Sequence, residues 1–226
     1  MMTHQFLKFN TNSQICPYIT INYESTSDFD AAETALRKIK SKPVGDNLLK
    51  SILYVSDREK RLTIISSKNV NHATSGYLNS DQIRRFGVPP DSKHELYRMT
   101  INHLGSVNYQ GKPSEGISSV VLFNPNKMIG LDDLGHPIEM NIPDYNFISL
   151  AHEIIHALHA MNGTGLPRDS KPSHVYYKDT GIRKEEERAI GLGVYEREAL
   201  TENKIRAEHG LRIRKSFFTR ANPPIT

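Results

Sequence analysis

His152-Glu153-Ile154-Ile155-His156 sets two imidazoles four residues apart around a carboxylate. On a helix, positions i and i+4 lie one turn apart and differ by about 40° in azimuth, so both rings can reach one ion from the same face. Glu153 then stands beside the open coordination position, where a general base for a metal-activated water is needed. The spacing therefore proposes a metal, a nucleophile and a reaction class together. The flanks, Phe147-Ile148-Ser149-Leu150-Ala151 and Ala157-Leu158, are apolar, so such a helix faces a core over much of its surface. Histidines buried there need partners, and one metal satisfies both. The competing reading is a buried helix that happens to carry two histidines.

A catalytic zinc generally takes three protein ligands and one water. No third histidine follows at the HxxGxxH spacing, because the motif runs on as Ala157-Leu158-His159. His159 shares the stripe at i+7 from His152, a turn too far for the same ion, and is expected to support the site. His174 is a loop candidate. Among acidic residues, Glu185-Glu186-Glu187 follow about 30 residues after the motif, and Glu198 and Glu202 are four apart. Each could equally be a solvated charge, and three consecutive glutamates cannot all face one ion.

The elements that must position these residues are partly legible. A helix is expected over 28–40, capped by Ser27, Asp28 or Asp30, with Ala31, Ala35, Leu36 and Ile39 as its apolar stripe. Pro43 and Gly45 read as a break, and 48–53 as a short second helix. Residues 61–65 and 117–123 read as strands, the latter a candidate for pairing with an extended substrate. Residues 67–116 give no clear pattern and suggest hairpins and a working loop. A turn-rich hairpin over 130–143 should precede the motif helix, which starts near Pro143-Asp144 and stops at Gly163 and Gly165. A loop to about 184 and a last helix over 196–208, ended by Gly210, complete the expectation.

At 226 residues and 37% apolar content the chain fits one domain: a polar, flexible segment over 1–27, then a folded domain over 28–226. A net charge of +4 is too small to argue for nucleic acid. The basic residues of Lys204-Ile205-Arg206 and Arg212-Ile213-Arg214-Lys215 read as a solvated face. One cysteine, Cys16, excludes an internal disulfide and suits a reducing compartment. No apolar run approaches the ~18 residues of a membrane span, and the first 30 residues lack the apolar core of a secretory signal.

Residues 152–163, HEIIHALHAMNG, resemble the zinc helix of clostridial neurotoxin light chains. There the third ligand is the second Glu of a Glu-Glu-x-Arg-x-x-Gly segment. Glu185-Glu186-Glu187-Arg188-Ala189-Ile190-Gly191 matches, and the match selects Glu186. Those proteases also use an Arg-x-x-Tyr pair at the developing oxyanion. Here Arg214-Lys215-Ser216-Phe217 keeps the Arg and lacks the Tyr, which puts a role for position 217 in question.

A closer resemblance, over most of 118–217, is to the NleD-like family of bacterial type III effector zinc metallopeptidases. Residues 185–192 and Leu200-Thr201-Glu202-Asn203-Lys204-Ile205-Arg206, with Gly210 and Arg214, carry it. It implies an α+β, zincin-like metalloprotease fold: a small mixed sheet packed on the HExxH helix, with a C-terminal helix. It implies one Zn2+ per chain on His152, His156 and Glu186, with Glu153 as general base and Arg214 at the oxyanion. Glu202 and Asn203 would orient His156 or Arg214, and Glu202 is the alternative third ligand. A monomer delivered by a type III system into the host cytoplasm, cutting a host protein, follows from the resemblance. A signalling kinase as target is analogy. No nucleic-acid or membrane partner is expected. The alternatives are a zinc hydrolase acting on something other than a peptide bond, and a non-enzymatic interaction module.

Overall fold

A computed structural model describes residues 9–56, 59–140, 143–167 and 180–221. In chain order come β1 (Phe9–Asn12), β2 (Ile19–Tyr23), α1 (Thr26–Lys40), α2 (Pro43–Ser56) and β3 (Leu62–Ser66). β4 (Ala73–Tyr77), α3 (Ser80–Phe86), α4 (Glu95–Gly105) and β5 (Ser118–Phe123) follow. The last part holds β6 (Met128–Leu131), β7 (Pro137–Met140), α5 (Asn146–Met161), α6 (Gly181–Ile190) and α7 (Glu202–Glu208). This is the expected α+β class.

Five strands form one mixed sheet in the order β1-β2-β3-β5-β4. β2, β3 and β5 run parallel in its middle, and β1 and β4 close the two edges antiparallel. The central strands are β-branched, and Ile19, Ile21, Ile64, Val121 and Phe123 are fully buried. Helices α1, α2 and α5 complete this core with Leu36, Ile39, Leu48, Leu49, Ile52, Leu150 and Ile154. β6 and β7 form a separate hairpin.

Three expectations change. Residues 9–23, read as part of a flexible segment, form β1 and β2, and Cys16 is buried beside them. In β2 the buried Ile19 and Ile21 alternate with part-buried neighbours, while β1 is exposed along its length and pairs on the edge of β2. Pro43 opens α2 instead of breaking the chain, since the first turn needs no proline N–H. The Glu208 carboxylate accepts from the next two amides, Val44 and Gly45, at 2.7 and 2.9 Å. Gly45 is then required by contact, because a Cβ there would lie 2.0 Å from the Ile39 carbonyl oxygen. Finally, the unassigned stretch 67–116 contains β4, α4 and α3, whose Asn79 and Gln82 make a capping box. Among the described residues, no helix is long and apolar enough to cross a membrane.

Candidate metal centre

α5 carries the motif through the middle of the molecule. It is buried at every position except Glu153 and Ala160. An all-round apolar helix is one that packs on every side, here against the sheet, α1, α2, α6 and α7. Its single half-exposed carboxylate is the one the motif assigns to proton transfer.

His152 Nε2 and His156 Nε2 lie 3.1 Å apart, and Glu186 Oε2 from α6 lies 3.2 and 3.3 Å from them. Bonds of 2.0–2.1 Å in a tetrahedron put neighbouring donor atoms about 3.3 Å apart. The three atoms therefore have the spacing of ligands on one small cation. Two ring nitrogens facing each other across 3.1 Å can share one proton or turn both lone pairs to one cation. The residues present fit a zinc ion.

α6, absent from the sequence-based assignment, sorts the three glutamates. Thr180 caps its start, accepting from the Arg183 amide, and Gly191 ends it at φ 85°. A side chain at Gly191 would meet Thr201 Oγ1 at 2.7 Å. Glu186 turns to the Nε2 atoms. Glu185 is buried on the other side of His156, with Oε1 3.3 Å from His156 Nδ1 and 2.6 Å from His159 Nδ1. Its Oε2 accepts from the Leu166 amide at 2.9 Å. Glu187 points away and pairs with Arg183 at 2.8 Å. His159, expected to support the site, thus touches Glu185 and not the three converging donor atoms. Glu198 pairs with Arg188 at 2.8 Å and takes no part in the cluster. His174 lies outside the described residues.

Glu202 is not placed as a ligand. Its Oε2 lies 2.9 Å from His152 Nδ1, though off the line of that N–H. The same oxygen accepts from Arg214 Nη1 at 3.1 Å, and Oε1 accepts from Arg206 Nε at 2.6 Å. It therefore lies beside His152 and holds Arg214, the second of the two partners, His156 or Arg214, that the sequence suggests for it. Asn203 clamps Arg214 through its backbone, donating to the carbonyl and accepting from the amide at 2.8 Å each.

Arg214 itself is 3% exposed. Its three nitrogens donate to Ser216 O, Glu202 Oε2 and Phe217 O, and its guanidinium lies 5.7 Å from the Phe217 ring centroid. That corrects its expected place at the oxyanion, since every nitrogen is already committed behind His152. The basic C-terminal stretch is corrected likewise. Arg206, also 3% exposed, is a buried counter-ion and not part of a solvated face. Only its spacing, four residues from Glu202, could have signalled the pair.

The electrostatics are those of a cation site. Burial opposes the charged form of His156, but Glu186 and Glu185 outweigh it and push the ring up to about 10. His152 is raised in the same way, by Glu186 and Glu202 against burial. Burial would raise Glu186, yet the two rings hold it well below the usual carboxylate range. Glu185 and Glu202 also sit far below that range against the cost of burial, the first through His156 and His159, the second chiefly through Arg214 and Arg206. Three ionised carboxylates thus surround two rings. Arg206 and Arg214 compensate Glu202, and Arg188 lies 3.9 Å from Glu185. Among the described residues, Glu186 has no basic partner except the two histidines.

The open side is formed by β4. Thr74 Oγ1 lies 2.8 Å from Glu153 Oε2, a contact no sequence signal announced in the patternless 67–116 stretch. β5, expected to pair with substrate, lies between β3 and β4 and has no free edge. β4 has one, beside Glu153.

A buried HExxH helix on a mixed sheet, with a carboxylate from the next helix completing a three-donor cluster, makes a candidate metal site. Sequence comparison gives the family: the Peptidase M91 model, described as an effector protein, matches residues 18–217. The chain belongs to that metallopeptidase family, the NleD-like effectors it resembles in sequence. Among curated proteins no significant match is found. Among solved structures, the chain is similar to the botulinum neurotoxin type G light chain, with 13% identity and a TM-score of 0.38. That match covers 65% of this chain and 44% of the light chain, so it spans less than half of the latter's length.

Proposed function

We propose that the protein is a zinc endopeptidase in which His152, His156 and Glu186 hold one Zn2+ per chain. The observation that carries this is the convergence of three donor atoms at 3.1–3.3 Å, with Glu186 opposed, among the described residues, by the two histidines alone. A zinc ion bound there would supply acidity to a water in its fourth position and polarise the scissile carbonyl.

The protein's own residues supply the rest. Glu153 takes the proton of the attacking water and returns it to the leaving amine, a role commonly worth 10²–10⁴-fold, about 3–5 kcal/mol. Glu202 and Glu185, each ionised beside an Nδ1, orient His152 and His156 so that their Nε2 lone pairs converge. Among the described residues no strand pairs with the outer edge of β4, so an extended substrate can add there as a further strand alongside Glu153. Arg214 acts at one remove, by fixing Glu202. Position 217 supplies a carbonyl and a ring to Arg214 and has no hydroxyl to offer a reacting oxygen.

The biological setting belongs to the same reading. Membership of an effector family supports delivery into a host cell by a type III system, and a host protein, a signalling kinase by analogy, as substrate. Glu153→Gln tests the chemistry. Stoichiometric zinc by elemental analysis should persist in the purified variant, while the new N-termini that wild type generates in a eukaryotic cell lysate disappear. A wild-type protein without zinc, or a variant that still cuts, removes the proposal.

A further inference from the structure

Thr74 stands between the edge strand and the general base. Its Oγ1 is 2.8 Å from Glu153 Oε2 and also 2.8 Å from the Glu153 backbone carbonyl oxygen. We propose that Thr74 is a positioning residue for Glu153, locking its carboxylate on the β4 side of α5; this rests on the protease reading above.

The need for such a lock is geometric. Glu153 is half exposed on an otherwise buried helix, and a free glutamate side chain samples many rotamers. Among the described residues no other side chain hydrogen-bonds its carboxylate. Thr74 is well suited to be the post. It is β-branched and stiff at χ1, on a strand whose backbone is fixed by pairing opposite Val121. It also lies far from Glu153 in sequence, so the bond ties the sheet edge to the motif helix.

The second contact explains why a hydroxyl serves here. A hydroxyl has one proton to give and two lone pairs to receive with. While Glu153 is a carboxylate, Thr74 donates to Oε2. The same Oγ1 also lies within bonding distance of the Glu153 backbone carbonyl oxygen, so one hydroxyl sits against both the main chain and the carboxylate of Glu153. Because Thr74 belongs to the strand with the open edge, the base is held in register with any peptide paired there. Valine has the same shape and can make neither bond.

Thr74→Val and Thr74→Ser, made in the full chain and loaded with zinc, decide the matter. The assay is a synthetic peptide spanning the cut that wild type makes fastest in a eukaryotic cell lysate. A misplacement of about 1 Å can cost roughly a hundredfold. Thr74→Val should therefore lose about 10–100-fold in kcat with KM within about twofold, and Thr74→Ser should stay within about threefold of wild type. Crystals of the metal-free and zinc-loaded Thr74→Val protein should show the Glu153 carboxylate displaced by at least about 1 Å. If the valine variant does not fold, Thr74→Ala is read against serine by the same criteria. The proposal is overturned if removing the hydroxyl leaves kcat within about twofold, if the loss is in KM alone, or if serine falls as far as valine. Glu153→Gln separates the two readings: if it cuts like wild type the protease reading fails, and if it is inactive while Thr74→Val is normal, only the role of Thr74 fails.

Discussion

The two sides of the histidine pair are built from the same residue types and are opposite in character. On the Nδ1 side, Glu202 and Glu185 are 1% and 3% exposed and bonded to arginines, a second histidine and a backbone amide. On the Nε2 side, one half-exposed carboxylate, Glu186, meets two ring nitrogens and, among the described residues, nothing else. The first side is saturated by arginines, a histidine and the main chain; the second, among the described residues, sets one carboxylate against two rings alone. That asymmetry is what a site for a cation needs: a fixed outer support and three donor atoms able to turn to one ion.

The largest effect that would break this contrast is on the saturated side. Glu202→Ala strands Arg206 and Arg214, both buried, without their carboxylate. Removing one partner of such a network typically costs 3–5 kcal/mol. Urea unfolding in the presence of a chelator should show about that loss, independent of metal. A loss under about 1 kcal/mol would mean that this side is not the structural half of the site.

Glu186→Gln should do the reverse. It removes a carboxylate that only the two histidines offset, so the metal-free protein should lose clearly less stability than Glu202→Ala does. Zinc affinity should fall by more than the 10–100-fold that follows loss of a group merely orienting a ligand. In wild type, zinc at a thousand times its dissociation constant adds about 4 kcal/mol by mass action. Melting curves with zinc and with chelator should therefore separate clearly for wild type and coincide for Glu186→Gln. If both variants lose stability alike in chelator, the two sides do not differ as argued.

Glu185→Gln lies between. The amide oxygen can still accept from the Leu166 amide, but the charge beside His156 and His159 is gone. Zinc affinity by competition with a chelating dye should fall about 10–100-fold, with the ligands themselves intact.

Legibility in the sequence followed the same division. The Nε2 side was readable because its chemistry demands residue types at fixed spacing: two histidines one turn apart on an apolar helix, and a Glu186 that family resemblance could select. The Nδ1 side was half readable. The sequence singles out Glu202 and Asn203, yet it suggests a solvated face for Arg206 and, by resemblance, the oxyanion for Arg214, because a run of charges does not reveal which members turn inward to a buried carboxylate. β4 was not readable at all. Ala73-Thr74-Ser75-Gly76-Tyr77 has neither alternation nor a run of β-branched residues, and it is a strand because β5 offers it an edge. Likewise β2 and Pro43 were misjudged for composition, where burial of alternate isoleucines and a carboxylate from distant α7 decided the outcome.

Glu187 offers the smallest and cleanest contrast, since it is the chemical twin of its two neighbours. One helical step of about 100° separates each glutamate from the next, so the third faces outward and meets only Arg183 at i−4. Half-exposed pairs of this kind are worth about 0.5 kcal/mol or less. Glu187→Gln should therefore leave unfolding stability within about 0.5 kcal/mol and zinc affinity within about twofold. Three adjacent substitutions of one residue type, graded from metal loss through weakened affinity to almost nothing, could arise only if α6 presents Glu186 to the rings and Glu185 to their far side. A zinc deficit at Glu187 comparable to that at Glu186 would mean that α6 is turned by one residue and that the donor set is misassigned.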